Sequence, residues 1–103
     1  MDSSTPRRQH SRVSVTFAVR LQIGAQQVAA RARNLSMTGL FLEDPRCDLP
    51  ANVRLAIPLP GSSREVVADC RVERRDAQGV ALSFASIDWD DLLLVARYLA
   101  PLL

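Results

Sequence analysis

Apolar and polar residues alternate along the first half of the chain. Residues 13–23, VSVTFAVRLQI, have Val, Phe, Leu or Ile at nearly every second position, with mostly polar residues between them. Because successive side chains of a β-strand point to opposite faces, this pattern predicts a strand with one buried face and one solvent-facing side. Gly24-Ala25 is then expected to turn the chain back.

Five further short segments, each bounded by turn-forming residues, also have the character of strands. They cover residues 26–33, 39–43, 52–59, 64–75 and 80–84. Residues 45–50, PRCDLP, are predicted to form a proline-bracketed loop, and Pro58 suggests a strand end or edge. Six short strands, most with one apolar face, indicate a closed or nearly closed antiparallel β-barrel.

The end of the chain has a different period. In residues 88–103, DWDDLLLVARYLAPLL, apolar side chains recur at helical spacing and Pro101 marks the end of the predicted helix. Asp88 is the expected N-cap, and Asp90 and Asp91 suit the positive end of the helix dipole. The face predicted to pack on the barrel consists of Trp89, Leu92, Leu93, Ala96 and Leu99.

The predicted fold class is therefore all-β: a six-stranded antiparallel barrel with a C-terminal α-helix and a flexible N-terminal arm. A length of 103 residues favours a single domain. Residues 1–12 are assigned to the arm, which has no Val, Leu, Ile, Phe, Tyr or Trp between Met1 and Val13, and residues 13–103 to the barrel and helix.

Composition narrows the functional classes. No run approaches the roughly 18 apolar residues of a membrane span, and the polar N-terminus lacks the features of a secretion signal. We therefore expect a cytoplasmic protein without membrane insertion. The net charge is only +2, but all 13 cationic side chains are arginine and three of them lie within residues 7–12.

Catalysis and metal binding have little support in the sequence. Cys47, Cys70 and the only histidine, His10, do not form a metal-ligand spacing, and the two cysteines are expected to be free thiols. His10 lies in a polar arm, and Ser36 has no histidine in a recognisable pattern to activate it. The chain is expected to be neither an enzyme nor the carrier of a metal or cofactor.

Ligand binding has better support, beginning with the arm. Arg7, Arg8 and Arg12 form a cluster of guanidinium groups. A planar fork of donors suits phosphate oxygens and the O6/N7 edge of guanine, and it can stack on a purine. Taken alone, the arginines of a terminal arm are usually just solvated.

The second candidate segment is NLSMTG, residues 34–39. Asn34 offers an amide for a base edge, Ser36 offers a hydroxyl, and Gly39 can adopt a positive φ and admit a flat ligand close to the backbone. The same residues suit an ordinary turn. If the arm lay across the barrel at this point, the two segments together would have the parts of a site for an anionic purine nucleotide.

Both segments resemble the motifs of a known family. Residues 8–12, RQHSR, match the RxxxR motif, and residues 34–39 match the [D/N]xSxxG motif, of the PilZ domains, bacterial receptors for cyclic di-GMP. The order of the motifs, the later GVALSF strand and the C-terminal helix also agree with that family. Each motif alone is weak evidence, whereas both in this order on a barrel pattern are fairly specific.

The resemblance implies a role for each matching residue. Arg8 and Arg12 would bind phosphates and guanine edges, Asn34 and Ser36 would hydrogen-bond a guanine, and Gly39 would permit close approach. Asn at position 34, in place of Asp, lacks the negative charge that could accept hydrogen bonds from the N–H groups of guanine. An arginine before RxxxR, here Arg7, tends in this family to accompany binding of two stacked ligands.

The resemblance also implies partners. The expected ligand is cyclic di-GMP, and because a domain of this length has no output module, an unidentified downstream protein should receive the signal. Two alternatives remain open: a PilZ-like adaptor that binds protein but no nucleotide, and a nucleic-acid binder with a basic arm. The near-neutral net charge and the lack of interleaved aromatics argue against a nucleic-acid polymer as the partner. Arg74 and Arg75 are either further rim residues or simply solvated.

Overall fold

A computed structural model describes residues 13–103, so Arg7, Arg8, Arg12 and His10 lie outside the described residues. The described part contains six β-strands followed by one α-helix. They are β1 (Val13–Ile23), β2 (Gln26–Ser36), β3 (Gly39–Glu43), β4 (Asn52–Ile57), β5 (Val66–Asp76), β6 (Gly79–Ile87) and α1 (Trp89–Leu99), with a final 3₁₀ turn at Ala100–Leu102.

The strands form a closed antiparallel barrel in the order β1-β2-β3-β6-β5-β4, which confirms the predicted fold class. The barrel closes where Arg20 to Gln22 of β1 pair with Arg54 to Ala56 of β4. Since closure gives the two outer strands of the sheet a pairing partner, β1 and β4 are joined rather than left as open edges.

One apolar cluster fills the barrel and continues beneath the helix. Every strand contributes to it from its inward-facing positions, as the alternation along β1 predicts. The largest side chains that are less than 2% exposed are Val19, Leu21, Leu35, Leu40, Leu42, Leu55, Ile57, Val66, Cys70, Val80, Val95 and Leu99. The helix thus shares the barrel core through Val95 and Leu99.

Several strand boundaries differ from the sequence prediction. Strand β2 continues through Ser36, so that only Met37 and Thr38 form the turn. Leu35 explains the extension, because its fully buried side chain keeps this part of the chain paired in the sheet. Strand β4 ends at Ile57 before Pro58, which has no amide hydrogen to donate, and β6 extends to Ile87.

The helix is present where predicted, and Leu99 is buried as predicted, but two of the other residues assigned to its buried face are exposed. Trp89 is 69% exposed and Leu93 is 37% exposed, whereas Asp91, Val95 and Leu99 are buried. Asp88 occupies the N-cap position as predicted, but its side chain makes no capping hydrogen bond. No helix within residues 13–103 has both the length and the apolar character needed to cross a bilayer.

The orientation of the helix is explained by Asp91. Its Oδ2 accepts a hydrogen bond from the Val67 backbone N–H at 3.0 Å, and its Oδ1 pairs with the guanidinium of Arg64. Strand β6 pairs with β5 only from Ala68 onwards, so the carboxylate supplies an acceptor where the strand ladder stops. Turning Asp91 inward rotates Trp89 and Leu93 towards solvent, because they lie on the opposite side of the helix.

Replacing Asp91 with alanine should destabilise the fold because the Val67 N–H would lose its partner inside the helix–barrel interface. We expect a loss of about 1–3 kcal/mol in the free energy of unfolding, measured by chemical denaturation. Asp90→Ala is the matched control, since Asp90 lies in the same first turn but is exposed, and it should change stability by less than about 0.5 kcal/mol. Equal effects of the two substitutions would contradict the assigned role of Asp91.

The two cysteines are free thiols in different surroundings, as the sequence predicts. Burial, together with the charge of Asp69, raises the pKa of the Cys70 thiol to about 12. Cys47 is half-buried in the loop between β3 and β4.

A thiol reagent at pH 8 should therefore modify Cys47 in the folded protein but modify Cys70 only after unfolding. Counting the thiols released or alkylated with and without denaturant tests this expectation. Cys47→Ser should remove the native-state reaction and retain the reaction seen in denaturant. Rapid labelling of native Cys47→Ser would show that Cys70 is accessible after all.

Candidate functional site

The pairing of β1 with β2 brings the start of the barrel beside the second motif. Val13 lies opposite Leu35, and Ser14 lies opposite Asn34. Arg12 directly precedes Val13 in the chain. The point at which the arginine-containing segment joins the barrel is therefore adjacent to the NLSMTG segment, although the arginines themselves lie outside the described residues.

A β-bulge sets the direction of the Asn34 side chain. The register between β2 and β3 shifts between Ala32 and Asn34, which leaves Arg33 as the additional residue and places Asn34 opposite Phe41. Ala32 and Leu35 are both buried, although residues three apart on a regular strand face opposite sides. The bulge thus lets both apolar side chains enter the core while Asn34 remains on the outer side.

Asn34 has an unusual environment for an amide. Its residue is half-buried, and its Oδ1 is buried with no hydrogen-bond partner within residues 13–103. A buried acceptor without a donor costs roughly 1–3 kcal/mol, so native structures rarely retain one. A hydrogen-bond donor for this oxygen would therefore have to come from outside the described barrel.

Ser36, by contrast, uses its hydroxyl within the turn. The residue is 1% exposed. Its Oγ donates to the Gly39 carbonyl oxygen at 3.3 Å, accepts from the Thr38 backbone N–H at 3.2 Å, and lies 3.1 Å from Thr38 Oγ1. These contacts make Ser36 the residue that holds the β2–β3 turn, while its direct hydrogen bond to a guanine stays a prediction.

Gly39 is required for a different reason from the one predicted. Positive φ values among the glycines occur at Gly24, Gly61 and Gly79, so the expectation that Gly39 uses this conformation is wrong. A Cβ on Gly39 would instead overlap the Leu82 carbonyl oxygen and lie 2.9 Å from the Ser83 Cα. Glycine is needed here because the β6 backbone approaches β3 closely.

Comparison with known proteins identifies the family. The sequence model of the PilZ domain matches residues 6–100, which include both motifs and nearly all of the barrel and helix. The chain belongs to the PilZ domain family. No curated protein matches the chain.

A solved structure supports the same fold. The barrel is similar to the structure of Bacillus subtilis Inhibitor of motility (MotI/DgrA), with a TM-score of 0.74 and 20% sequence identity. The match covers 90% of this chain and 49% of that one, so the present chain spans about half the length of the other protein. At this identity the likeness shows a common fold.

In this PilZ barrel the side chain of Arg75, near the end of β5, is bound to the loop between β3 and β4. Arg75 donates to the Cys47 carbonyl oxygen at 2.7 Å and to Asp44 Oδ1 at 2.8 Å, which fastens the β3–β4 loop to β5. The backbone N–H of Arg46, followed by the Arg75 guanidinium, holds the pKa of Asp44 below its usual value. Arg75 is therefore engaged in holding a loop.

A groove of about 510 Å³ lies between the loop after β4 and the C-terminal helix. It contains no residue of the 34–39 segment. Its lining consists of Leu59, Pro60, Gly61, Ser62, Ser63, Leu94, Arg97, Tyr98, Pro101 and Leu102. The groove in this PilZ domain is therefore separate from the second motif.

Removing the Ser36 hydroxyl should weaken the turn that carries the second motif. For Ser36→Ala we expect a loss of about 1–2 kcal/mol in the free energy of unfolding, because the Thr38 N–H loses its acceptor. Ser14→Ala, an exposed position opposite Asn34, is the control and should cost less than about 0.5 kcal/mol. Denaturant titration of both variants measures these changes in stability. An unchanged unfolding midpoint for Ser36→Ala would refute the role of Ser36 in holding the turn.

Proposed function

We propose that this PilZ domain is a receptor for cyclic di-GMP that passes the signal to a downstream protein. The observation that supports this most strongly is the buried Asn34 Oδ1, which has no donor within residues 13–103 and lies beside the point where the arm joins β1. Guanine presents N–H donors on its base-pairing edge, and such a donor would satisfy this oxygen.

In this proposal the second motif forms the fixed part of the site. Asn34 accepts a hydrogen bond from guanine, while Ser36 holds the turn beside it and keeps its strand in place. Gly39 allows β3 and β6 to lie close together beside this segment. Residues 34–39 therefore supply one unsatisfied hydrogen-bond acceptor but no positively charged side chain.

The arm supplies the charge that the second motif lacks. Arg8 and Arg12 would bind the ligand phosphates and a guanine edge through paired, charge-assisted hydrogen bonds. Each residue fixed in this way costs roughly 1–2 kcal/mol in backbone entropy, and hydrogen bonds to charged groups contribute about 1.5–3 kcal/mol each. A few such bonds are enough to hold a short segment against the barrel, and the changed surface is what a partner would recognise.

Arg7 extends the proposal to a stacked pair of ligands. A third guanidinium beside Arg8 can neutralise and stack on a second cyclic di-GMP molecule. Two ligands per chain are therefore expected, and isothermal titration calorimetry would give a stoichiometry near two.

The arm arginines can be tested without disturbing the barrel, since they precede its first strand. Arg8→Ala should abolish binding of cyclic di-GMP in calorimetry, with almost no change in melting temperature. Arg8→Lys should also bind poorly, because a point charge cannot replace a planar fork. Arg97→Ala, an exposed arginine on the helix, is the control and should bind normally.

Asn34 allows a test in which stability and binding change differently. Asn34→Ala removes an acceptor that has no donor in the barrel, so the ligand-free protein should keep its melting temperature or gain slightly. The same change should weaken cyclic di-GMP binding about ten-fold or more, since a guanine donor would then be left unpaired. Wild-type protein that neither binds cyclic di-GMP nor melts at a higher temperature in its presence would refute the receptor and favour the protein-binding adaptor.

A further inference from the structure

The side of α1 that faces away from the barrel has an apolar stripe, here called the outer stripe. It consists of Trp89, Leu93, Ala96 and Ala100, at intervals of four, three and four residues. This spacing aligns side chains along one side of a helix, as in the seam of a coiled coil. Ala96 is half-buried and the other three are exposed. Ala100 has helical backbone angles, so the stripe continues just past the end of α1.

Two opposite charges flank the outer stripe on one side. Asp90 follows Trp89 and Arg97 follows Ala96, so both charged side chains lie on the same flank of the helix. Their positions differ by about 10 Å along the helix axis, which is too far for the two to pair with each other. Neither forms an ion pair within residues 13–103. The flank therefore presents an acid near one end of the stripe and a base near the other.

A second copy of the chain fits this charge pattern when its helix runs antiparallel to the first. A two-fold axis perpendicular to the helices brings the same flank of each helix together. With the helices centred between Leu93 and Ala96, Asp90 of one copy lies within about 3 Å, along the axis, of the level of Arg97 of the other. Symmetry repeats this pair, whereas a parallel arrangement would place Asp90 level with Asp90 of the second copy.

The sizes of the apolar side chains also match in the antiparallel arrangement. Trp89 lies level with Ala100 of the second copy, and Leu93 lies level with Ala96. Large side chains that face small ones let two helices approach closely and interdigitate. Removing the Trp89 ring from water supplies the main favourable term, because aromatic side chains bury the largest apolar areas.

Other occupants of the outer stripe fit less well. Residues 2–12 contain no Val, Leu, Ile, Phe, Tyr or Trp, so that segment has no large apolar side chain to set against Trp89. A membrane surface is also a poor match, since helices that lie on membranes are rich in Lys and Arg and anionic lipids repel carboxylates. The exposed charges beside Trp89 are the acidic Asp88 and Asp90.

We propose that the chain forms a two-fold symmetric dimer through the outer stripe, with antiparallel α1 helices and Asp90 of each copy paired with Arg97 of the other. The interface uses neither motif, so the inference does not rest on the proposed function. An 11-residue helix is about 16 Å long and 10 Å wide, which gives a contact well below the roughly 800 Å² per partner of a standard interface. Dimerisation should therefore be weak and depend on protein concentration.

Sedimentation equilibrium of the full chain without ligand tests the dimer. Wild type should have the mass of one chain at roughly 5 μM and approach the mass of two at roughly 500 μM. Trp89 is the only tryptophan, so its fluorescence emission should move to shorter wavelength over the same range. Asp90→Arg and Arg97→Asp should each raise the dimer Kd about ten-fold or more, because like charges would then face each other.

Combining the two charge reversals tests the pairing itself. An equimolar mixture of Asp90→Arg and Arg97→Asp should form a heterodimer more tightly than either variant dimerises alone, and the double variant should regain its dimer. Both combinations place opposite charges face to face. Asp48→Arg makes the same change of charge on the exposed β3–β4 loop and should dimerise as wild type does. The melting temperature of each variant in dilute solution verifies that it is folded.

The remaining outcomes overturn the proposal in different ways. The mass of one chain at every concentration would exclude a second copy as the occupant. A Trp89 emission shift produced in dilute protein by anionic vesicles would assign the outer stripe to a membrane surface instead. A dimer that neither charge reversal weakens would lie on another surface. Folded variants that fail to associate in the mixture would refute the pairing of Asp90 with Arg97.

Discussion

The register between β1 and β2 is the constraint on which the candidate site depends. Val13 opposite Leu35 and Ser14 opposite Asn34 join the start of the barrel to the second motif. A slip of one residue would turn the inward-facing side chains of β1 to solvent, so the core enforces this register. The alternation of apolar and polar residues that builds the barrel therefore also places the first residue of β1, to which residues 1–12 are joined, beside the second motif.

The second motif divides its residues between folding and binding. Ser36 is almost fully buried with its hydroxyl satisfied inside the turn, and Gly39 accommodates the β6 backbone. Within residues 13–103, the Asn34 Oδ1 is the buried side-chain atom that has no hydrogen-bond partner. A PilZ barrel that bound no nucleotide would still need the glycine and the serine for its fold, whereas the unsatisfied amide oxygen lowers stability and, on the proposed function, would be satisfied by a ligand.

Much of this architecture follows from the sequence, because alternation and helical spacing report which side chains are buried. The six strands and the helix were predicted on that basis. The helix face was predicted only in part, since Asp91 is a buried carboxylate and hydropathy assigns such residues to the surface. The unpaired amide oxygen of Asn34 was equally inaccessible, because it depends on the pairing of β2 with β1 and β3, which local pattern does not specify.

The choice of asparagine at position 34 follows from its burial. An aspartate there would place a charge at a half-buried position with no donor in the described barrel, and such a charge costs more than a neutral amide does. The amide makes a weaker hydrogen bond to guanine than a carboxylate would. On the proposed function, binding must then rely more on cations outside this motif. The sequence before the barrel has an additional arginine, Arg7, ahead of RxxxR.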